Sequence, residues 1–249
     1  MNKHVLSIAI IFSILSSSCT SLYMPNVPNT PMLSQQGELH ASGNLSLRGN
    51  ASLNTAYAVS SNFGVILNGA FINRDQNKKD YRQNMLEIGG GYFSTFGPDD
   101  NRILEIYAGL GRGKSERIYS DFASNGALIS SERQEMMFSK GFLQVNYSSR
   151  KERGVRLFGK RIPLNYGTAI RGSYLNMKDF KINNIDQPKE DNIFIEPIFF
   201  TRMRLSDAFQ LQYTTGSNFG LKNRKYLTAG NSVFSLGFVV NVGGMNLSK

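Results

Sequence analysis

From Gly37 onward, apolar side chains alternate with polar or small ones at a period of two residues. In the stretch ELHASGNLSL, Leu39 and Leu45 share one face, whereas Glu38 and His40 share the other. Successive side chains of a strand point to opposite faces of the sheet, so this alternation predicts β-strands. The same division recurs up to the stretch SLGFVVNV near the end of the chain. The pattern therefore predicts an all-β fold.

The alternating segments are numerous enough to form one antiparallel barrel. An up-and-down barrel of about ten strands is predicted, with eight strands as the alternative, since single all-β barrels reach this chain length. The predicted strands begin near Gly37, Ala51, Phe63, Arg82, Arg102, Met136, Tyr166, Asn192, Phe209 and Ser232.

The predicted connections differ in length in a regular way. Tight connections are predicted at 60–62, 97–101 and 206–208, and longer polar ones at 73–81, 113–135, 177–191 and 217–231, with 48–50 and 150–165 as exceptions. With an even strand count, both chain ends and the tight turns fall on one side. This is the layout of an outer-membrane barrel, whose periplasmic turns are short and whose outer loops are longer.

Alternation alone does not decide which face points outward. In a membrane barrel the apolar face contacts lipid and the polar face lines the lumen. In a lipid-tethered soluble barrel the apolar face would surround an apolar ligand. The polar face carries few charges, of both signs, which favours a filled lumen with paired ions. The predicted lumen polar network consists of Glu38, His40, Glu87, Glu105, Lys140, Arg171, Glu196 and Arg202.

The N-terminus has the features of an export signal. Lys3 supplies a positive charge, Val5 to Leu15 are mostly apolar, and serines occupy 16–18, directly before the only cysteine, Cys19. The apolar run is too short to span a bilayer, which takes about 20 residues. This stretch resembles the lipobox of bacterial lipoproteins, which implies cleavage after residue 18 and a fatty acyl group such as palmitate on Cys19. An ordinary signal peptide with an incidental cysteine is the alternative.

These features divide the chain into a signal peptide (1–18), a lipidated tether (19–36) and a β-barrel domain (37–249). The tether contains Pro25, Pro28 and Pro31, so an extended conformation is expected. The acyl group is expected in the inner leaflet, beside the first strand.

The last strand adds a second resemblance. SLGFVVNV, with Ser235, Gly237, Val240 and Val242, is similar to the assembly signal of outer-membrane barrels. With the strand pattern, the domain resembles small OmpA-like, porin-type barrels. The resemblance implies an outer-membrane lipoprotein with a structural or interaction role, a largely filled lumen and at most a narrow solute path. It also implies contact with the barrel-assembly machinery.

The sequence gives little support for an enzyme. AGLGRGKS (108–115) matches a relaxed phosphate-binding loop, but the strand pattern continues through it and no helical pattern follows. After signal cleavage His40 is the only histidine, and its position predicts a lumen residue. Asp99 and Asp100 lie in a predicted turn. No catalytic residue, metal site or cofactor is therefore predicted.

The formal net charge of +10 points to an anionic partner. In an exported chain this favours outer-membrane lipids and lipopolysaccharide over nucleic acid. The basic stretch 150–161 is expected on the periplasmic side, where it is either a solvated hairpin or a contact for a periplasmic partner. A monomer is expected.

Overall fold

A computed structural model describes residues 21–46, 49–76, 78–125, 127–150, 154–157, 160–206, 208–228 and 233–243. Within these residues the chain forms a closed antiparallel barrel of ten long strands, as the alternation predicted. The strands are β1 (Leu39–Ser46), β2 (Asn50–Ala58), β3 (Phe63–Arg74), β4 (Lys79–Phe96), β5 (Arg102–Phe122), β6 (Leu128–Ser149), β7 (Lys160–Ile182), β8 (Asp191–Arg204), β9 (Phe209–Gly216) and β10 (Val233–Val242).

Each long strand pairs with its neighbours in the chain, and β1 pairs with β10 to close the barrel. The closing register runs from Leu39 opposite Val242 to Ser46 opposite Ser235. Short strands at Gly154–Leu157, Ile185–Asp186 and Phe219–Gly220 extend the connections. One 3-10 turn, Pro98–Asp100, joins β4 to β5. In the part of the chain that the structure describes, no helix has the length and apolar character needed to cross a membrane.

The two ends of the barrel differ. The inner end, as we call it, carries the start of β1, the end of β10 and the connections β2–β3, β4–β5, β6–β7 and β8–β9. The outer end carries the other connections, including 183–190 between β7 and β8 and the described residues 217–228 between β9 and β10. Short turns mark the periplasmic side of outer-membrane barrels, and here they share one end with the start of β1 and the end of β10, which gives the two ends their names.

The structure settles which face of the strands points outward. Leu45, Ile88 and Leu110 point out of the barrel and are 68%, 65% and 70% exposed. Polar neighbours such as Asn44 and Glu87 point inward and are 2% and 1% exposed. A soluble barrel would have the opposite arrangement, with a hydrated outer face. The alternative of a lipid-tethered soluble barrel with an apolar lumen is therefore wrong.

Several strands are longer than predicted. β5, β6 and β7 contain 21, 22 and 23 residues, whereas about ten tilted residues cross a bilayer. The predicted loop at 113–135 falls largely within β5 and β6, which pair up to Phe122 opposite Leu128. In this part of the hairpin polar and charged residues occur on both faces, such as Lys114 on one and Ser115 and Arg117 on the other, so the regular alternation disappears. The prediction of a long loop was wrong for that reason.

Candidate functional site in the barrel lumen

Residues 21–36 pass through the lumen from the outer end to the inner end. Near the outer end, the Leu22 amide donates to the Tyr226 carbonyl in the β9–β10 connection, at 2.9 Å. Near the inner end, the Gly37 amide donates to the Ala58 carbonyl at the end of β2, also at 2.9 Å. The segment has no helix or strand of its own. We call these residues the lumen segment.

The outer part of the lumen segment packs into an apolar cluster. Leu22 and Tyr23 are fully buried. The Tyr23 ring lies 5.6 Å from the Phe138 ring and 5.2 Å from the Phe194 ring, between centroids. The remaining cluster members are Ala70, Met85, Met136, Leu175, Met177, Phe180 and Leu227. Burial of these apolar side chains holds the outer part of the segment in place.

Four charged side chains meet in the middle of the lumen, and we call them the central quartet. Lys140 Nζ lies 2.7 Å from Glu87 Oε1 and 3.9 Å from Glu196 Oε1. Arg171 contacts both carboxylates, at 2.5 Å from Glu196 and 3.4 Å from Glu87. All four are at most 2% exposed. Two cations and two anions cancel, as buried charges require.

The lumen segment completes this quartet. Asn26 Nδ2 donates to Glu87 Oε2 at 3.0 Å, and Arg171 donates to Asn26 Oδ1 at 2.8 Å. The Tyr23 hydroxyl donates to Glu196 Oε1 at 3.2 Å. The ion pairs alone leave some polar atoms of the four charged groups without a hydrogen-bond partner. The amide of Asn26 and the hydroxyl of Tyr23 provide partners for them. Without the segment, this part of the lumen would need water in its place.

A second polar group of residues lies nearer the inner end. Glu105 accepts from the Leu33 amide at 3.1 Å, from Asn146 and from Tyr107. Arg202 donates to the carbonyl of Thr30 and to the side chain of Gln212. Residues 30–33 are therefore held by side chains from two strands, β5 and β8.

At the inner end itself, Glu38 and Arg150 hold the last turn of the lumen segment. Glu38 accepts from the Ser34 amide at 2.7 Å and from the Ser34 hydroxyl at 2.5 Å. Arg150 donates to the Met32 carbonyl at 2.7 Å and to Ser34 Oγ at 3.1 Å. Burial lowers the pKa of the Arg150 guanidinium, while the carboxylates of Glu38 and Glu105 act in the opposite direction.

Lumen side chains also bind the backbone of the segment, in place of a neighbouring strand. Gln83 accepts from the Met24 amide at 2.9 Å and donates to the Met24 carbonyl at 2.7 Å. Gln144 and Asn146 both donate to the Asn29 carbonyl. A buried backbone group without a partner is costly, so an extended segment inside a barrel needs such contacts. Proline lacks an amide hydrogen, so the prolines of the segment reduce the number of donors to be satisfied.

All eight predicted lumen residues point into the barrel and are at most 8% exposed. The structure brings Glu87, Lys140, Arg171 and Glu196 together in the central quartet. Glu38, Glu105 and Arg202 lie toward the inner end, against the lumen segment. His40 stands apart, with its Nδ1 2.8 Å from Asn241 Oδ1. Cys19 lies outside the described residues.

The sequence prediction did not include the residues that fill the lumen. Tyr23, Asn26, Asn29 and Thr30 were assigned to a tether, but their side chains bond to the barrel wall. One signal was present in the sequence. Prolines at 25, 28 and 31 and asparagines at 26 and 29 recur every three residues, which is the period of polyproline II. A polyproline II helix would place the prolines along one side of the segment and the asparagines along another.

The path of the lumen segment also differs from the expected path of the tether. A tether beside the first strand would keep residues 21–36 at the inner end, next to Leu39. The structure instead places Leu22 in contact with Tyr226 at the outer end. The physical reason is the polar lumen, whose charged and amide side chains need partners that the segment provides.

The comparisons with known proteins bear on the fold. No protein-family model matches the chain. No curated protein matches it either. Among solved structures, the translocator domain of the autotransporter NalP from Neisseria meningitidis superposes with a TM-score of 0.51 at 12% identity, over 96% of this chain and 94% of that one. The siderophore receptor PirA from Pseudomonas aeruginosa gives a TM-score of 0.23 at 11% identity, over 87% of this chain and 42% of that one, too low to support a relationship. The chain thus has the fold of an outer-membrane β-barrel, similar to that translocator domain.

Proposed function

We propose that this chain is a lipoprotein of the bacterial outer membrane whose barrel is closed by its own lumen segment, and that its role is structural or interactive. The passage of the lumen segment through the barrel is the observation that carries the proposal. Side chains from β2 to β8 bond to residues 22–34 or pack against them along the barrel axis. An open pore would instead leave a water-filled path between charged side chains.

Single-channel recording in planar bilayers tests the closed lumen. The wild-type protein is expected to give no stepwise current. Deletion of residues 22–34 removes the lumen segment before β1 begins, and is expected to give discrete steps through a charged pore. Heat-modifiable migration on gels checks that both proteins contain a folded barrel. Wild-type steps of the same size as those of the deletion variant would refute the closed lumen.

A pair of substitutions on one strand gives a finer test. A Cβ atom at Gly64 would lie 2.7 Å from Leu33 Cδ1, so Gly64→Val pushes against the lumen segment. A Cβ atom at Gly69 meets nothing within 4 Å, so Gly69→Val is the matched control. Brief openings are expected with Gly64→Val and none with Gly69→Val. Equal behaviour of the two variants would show that Leu33 does not contribute to closure.

The lipid anchor at Cys19 is part of the proposal. The apolar run before three serines and a cysteine supports it. Cells grown with labelled palmitate are expected to label the wild-type protein, and Cys19→Ala with a conventional signal peptide is expected to remain unlabelled. Because the outward face of the barrel is apolar, that variant should also resist extraction from membranes by alkaline carbonate. Loss of the variant into the wash would show that Cys19 alone holds the protein.

We also propose where partners would bind. The hairpin of β5 and β6 projects beyond the apolar band at the outer end, where it would meet lipopolysaccharide or an external partner. At the inner end, Gly154–Leu157 pairs with the start of β7 to form the hairpin of the basic stretch 150–161. We propose this hairpin as the contact for a periplasmic partner or anionic headgroups. The barrel is proposed to act as a monomer, inserted by the barrel-assembly machinery.

No catalytic step is part of this proposal. His40 is 1% exposed and lies beside Asn241, which leaves no access for a substrate. His40→Gln is therefore expected to preserve folding and every binding activity of the protein. An activity lost in that variant alone would point to an enzyme.

A further inference from the structure

The direction of the lumen segment determines where the chain before it must go. The segment enters β1 at the inner end, next to Ala58. Read backward, it crosses the barrel and reaches the outer-end connection at Tyr226. Ser21 therefore lies at the end opposite to the start of β1.

The barrel leaves one exit for the residues before Ser21. The wall is a continuous sheet, closed between β1 and β10, so no chain passes sideways. Below Ser21 the axis of the lumen is already occupied by residues 22–36 and the side chains that bond to them, so a return to the inner end would need a second strand of chain beside the first. The remaining exit is the outer mouth.

The outer mouth holds the segment in this position. Glu190 accepts from the amides of Tyr226 and Leu227, at 2.9 Å each, which fixes the β9–β10 connection against the start of β8. Leu227 is fully buried in the cluster that contains Leu22. The Tyr81 hydroxyl donates to the Leu22 carbonyl at 3.0 Å. Both the wall and an outer connection thus bind the segment just before it leaves the barrel.

From this path we infer that the mature N-terminus lies on the outer surface of the membrane, and not in the periplasm. The inference rests on the proposed function for the orientation of the barrel and for the acyl group. Two residues of chain reach at most about 7 Å, so a lipid on Cys19 would have to enter the leaflet next to the outer mouth. The protein would then be a surface lipoprotein. Its lumen segment would pass through its own barrel and end at a lipid anchor in the leaflet next to the outer mouth.

An epitope tag tests this inference in the full-length protein. The tag is inserted directly before Ser21, and antibody binding is compared on intact cells and on cells with a permeabilised outer membrane. Two control insertions use the same tag. One lies between Asp99 and Asp100 in the inner β4–β5 turn, and the other lies after Asn125, between β5 and β6.

The N-terminal tag is expected to bind antibody on intact cells as strongly as the tag after Asn125. The tag at the inner turn is expected to bind only after permeabilisation. An N-terminal tag that is reached only after permeabilisation would overturn the inference. If the tagged chain fails to fold, Thr20→Cys in the Cys19→Ala background, labelled with a membrane-impermeant maleimide, replaces it and is judged in the same way.

The experiment separates this inference from the proposed anchor. A surface tag on a chain that does not incorporate labelled palmitate would support the path of the segment and refute the anchor. A labelled chain whose tag is hidden on intact cells would support the anchor and refute the path. A tag that is hidden on intact cells, on a chain that does not incorporate palmitate, would refute both the path and the anchor.

Discussion

The two halves of the lumen segment are held by different kinds of interaction. Around Leu22 and Tyr23 the wall is apolar, with the rings of Phe138 and Phe194 at contact distance. From Asn26 to Ser34, charged or amide side chains bond to the segment, while Met32 and Leu33 pack into two smaller apolar clusters. Apolar packing is non-directional, whereas hydrogen bonds fix position along the axis. The outer half is thus held mainly by burial, whereas in the inner half hydrogen bonds add to burial and set the register of the segment in the barrel.

Arg171→Met should give the largest loss of stability, because it leaves Glu87 and Glu196 with Lys140 as their remaining cation in the quartet. Breaking a buried ion pair on one side costs about 3–5 kcal/mol. The free energy of unfolding from urea titrations in detergent measures the loss. Arg112→Met is the control, since Arg112 is exposed on the outer face of β5. Equal losses in the two variants would show that the quartet does not depend on its guanidinium.

Leu22→Ala tests the apolar half, and a smaller loss is expected. Leu22 is fully buried in its cluster, and truncation of a buried leucine costs about 3 kcal/mol. Leu221→Ala, at a position that is 63% exposed in the same outer connection, should have almost no effect. Urea titration in detergent measures the free energy of unfolding of both variants. An unchanged midpoint for Leu22→Ala would show that the outer half does not stay packed in solution.

Asn29→Ala removes directional contacts from the inner half. Its Nδ2 donates to Asn68 Oδ1 and to the Thr55 carbonyl, both at 2.9 Å. Buried acceptors that lose their donor cost about 2 kcal/mol. Asn73→Ala, at an exposed position on β3, is the control. If the variant matches Asn73→Ala in urea titrations, water replaces the amide without cost and the inner half does not set the register.

Tyr23→Phe should have the smallest effect, because it preserves the ring in the apolar half and removes the hydroxyl that bonds to Glu196. The lost bond from the hydroxyl to Glu196 is 3.2 Å long, and about 1 kcal/mol is expected. Tyr213→Phe, on the outward face of β9, is the control. A loss as large as that of Leu22→Ala would mean that the hydroxyl, and not the ring, fixes this end of the segment.

The sequence was informative where a strand has two different environments. Alternation located β1, β3 and β5 to within a few residues of their starts, because one face meets lipid and the other meets the lumen. It failed for the outer parts of β5 and β6, where both faces are polar. The charges at Glu87 and Arg171 stood out as polar-face residues, so their place in the lumen was also predictable.

The lumen segment was not predictable in the same way. An extended stretch with Pro25, Pro28 and Pro31 has the same composition whether it lies outside the barrel or inside it. Its binding depends on backbone carbonyls, such as those of Met24 and Asn29, which contact Gln83 and Gln144. Every residue has a carbonyl, so the sequence carries no mark of these contacts. Only the closed wall around the segment shows which side chains face it.

The seam between β1 and β10 has a mechanical consequence. Because the sheet is continuous from Leu39 to Val242, the barrel wall completely surrounds the lumen segment. Closure of the seam around a lumen segment that is already in place avoids threading the segment along the axis, so we expect the first and last strands to pair late in assembly. After closure, the inner end of the lumen segment remains continuous with β1 through the backbone. The segment is then withdrawn only by sliding along the axis or by opening the seam.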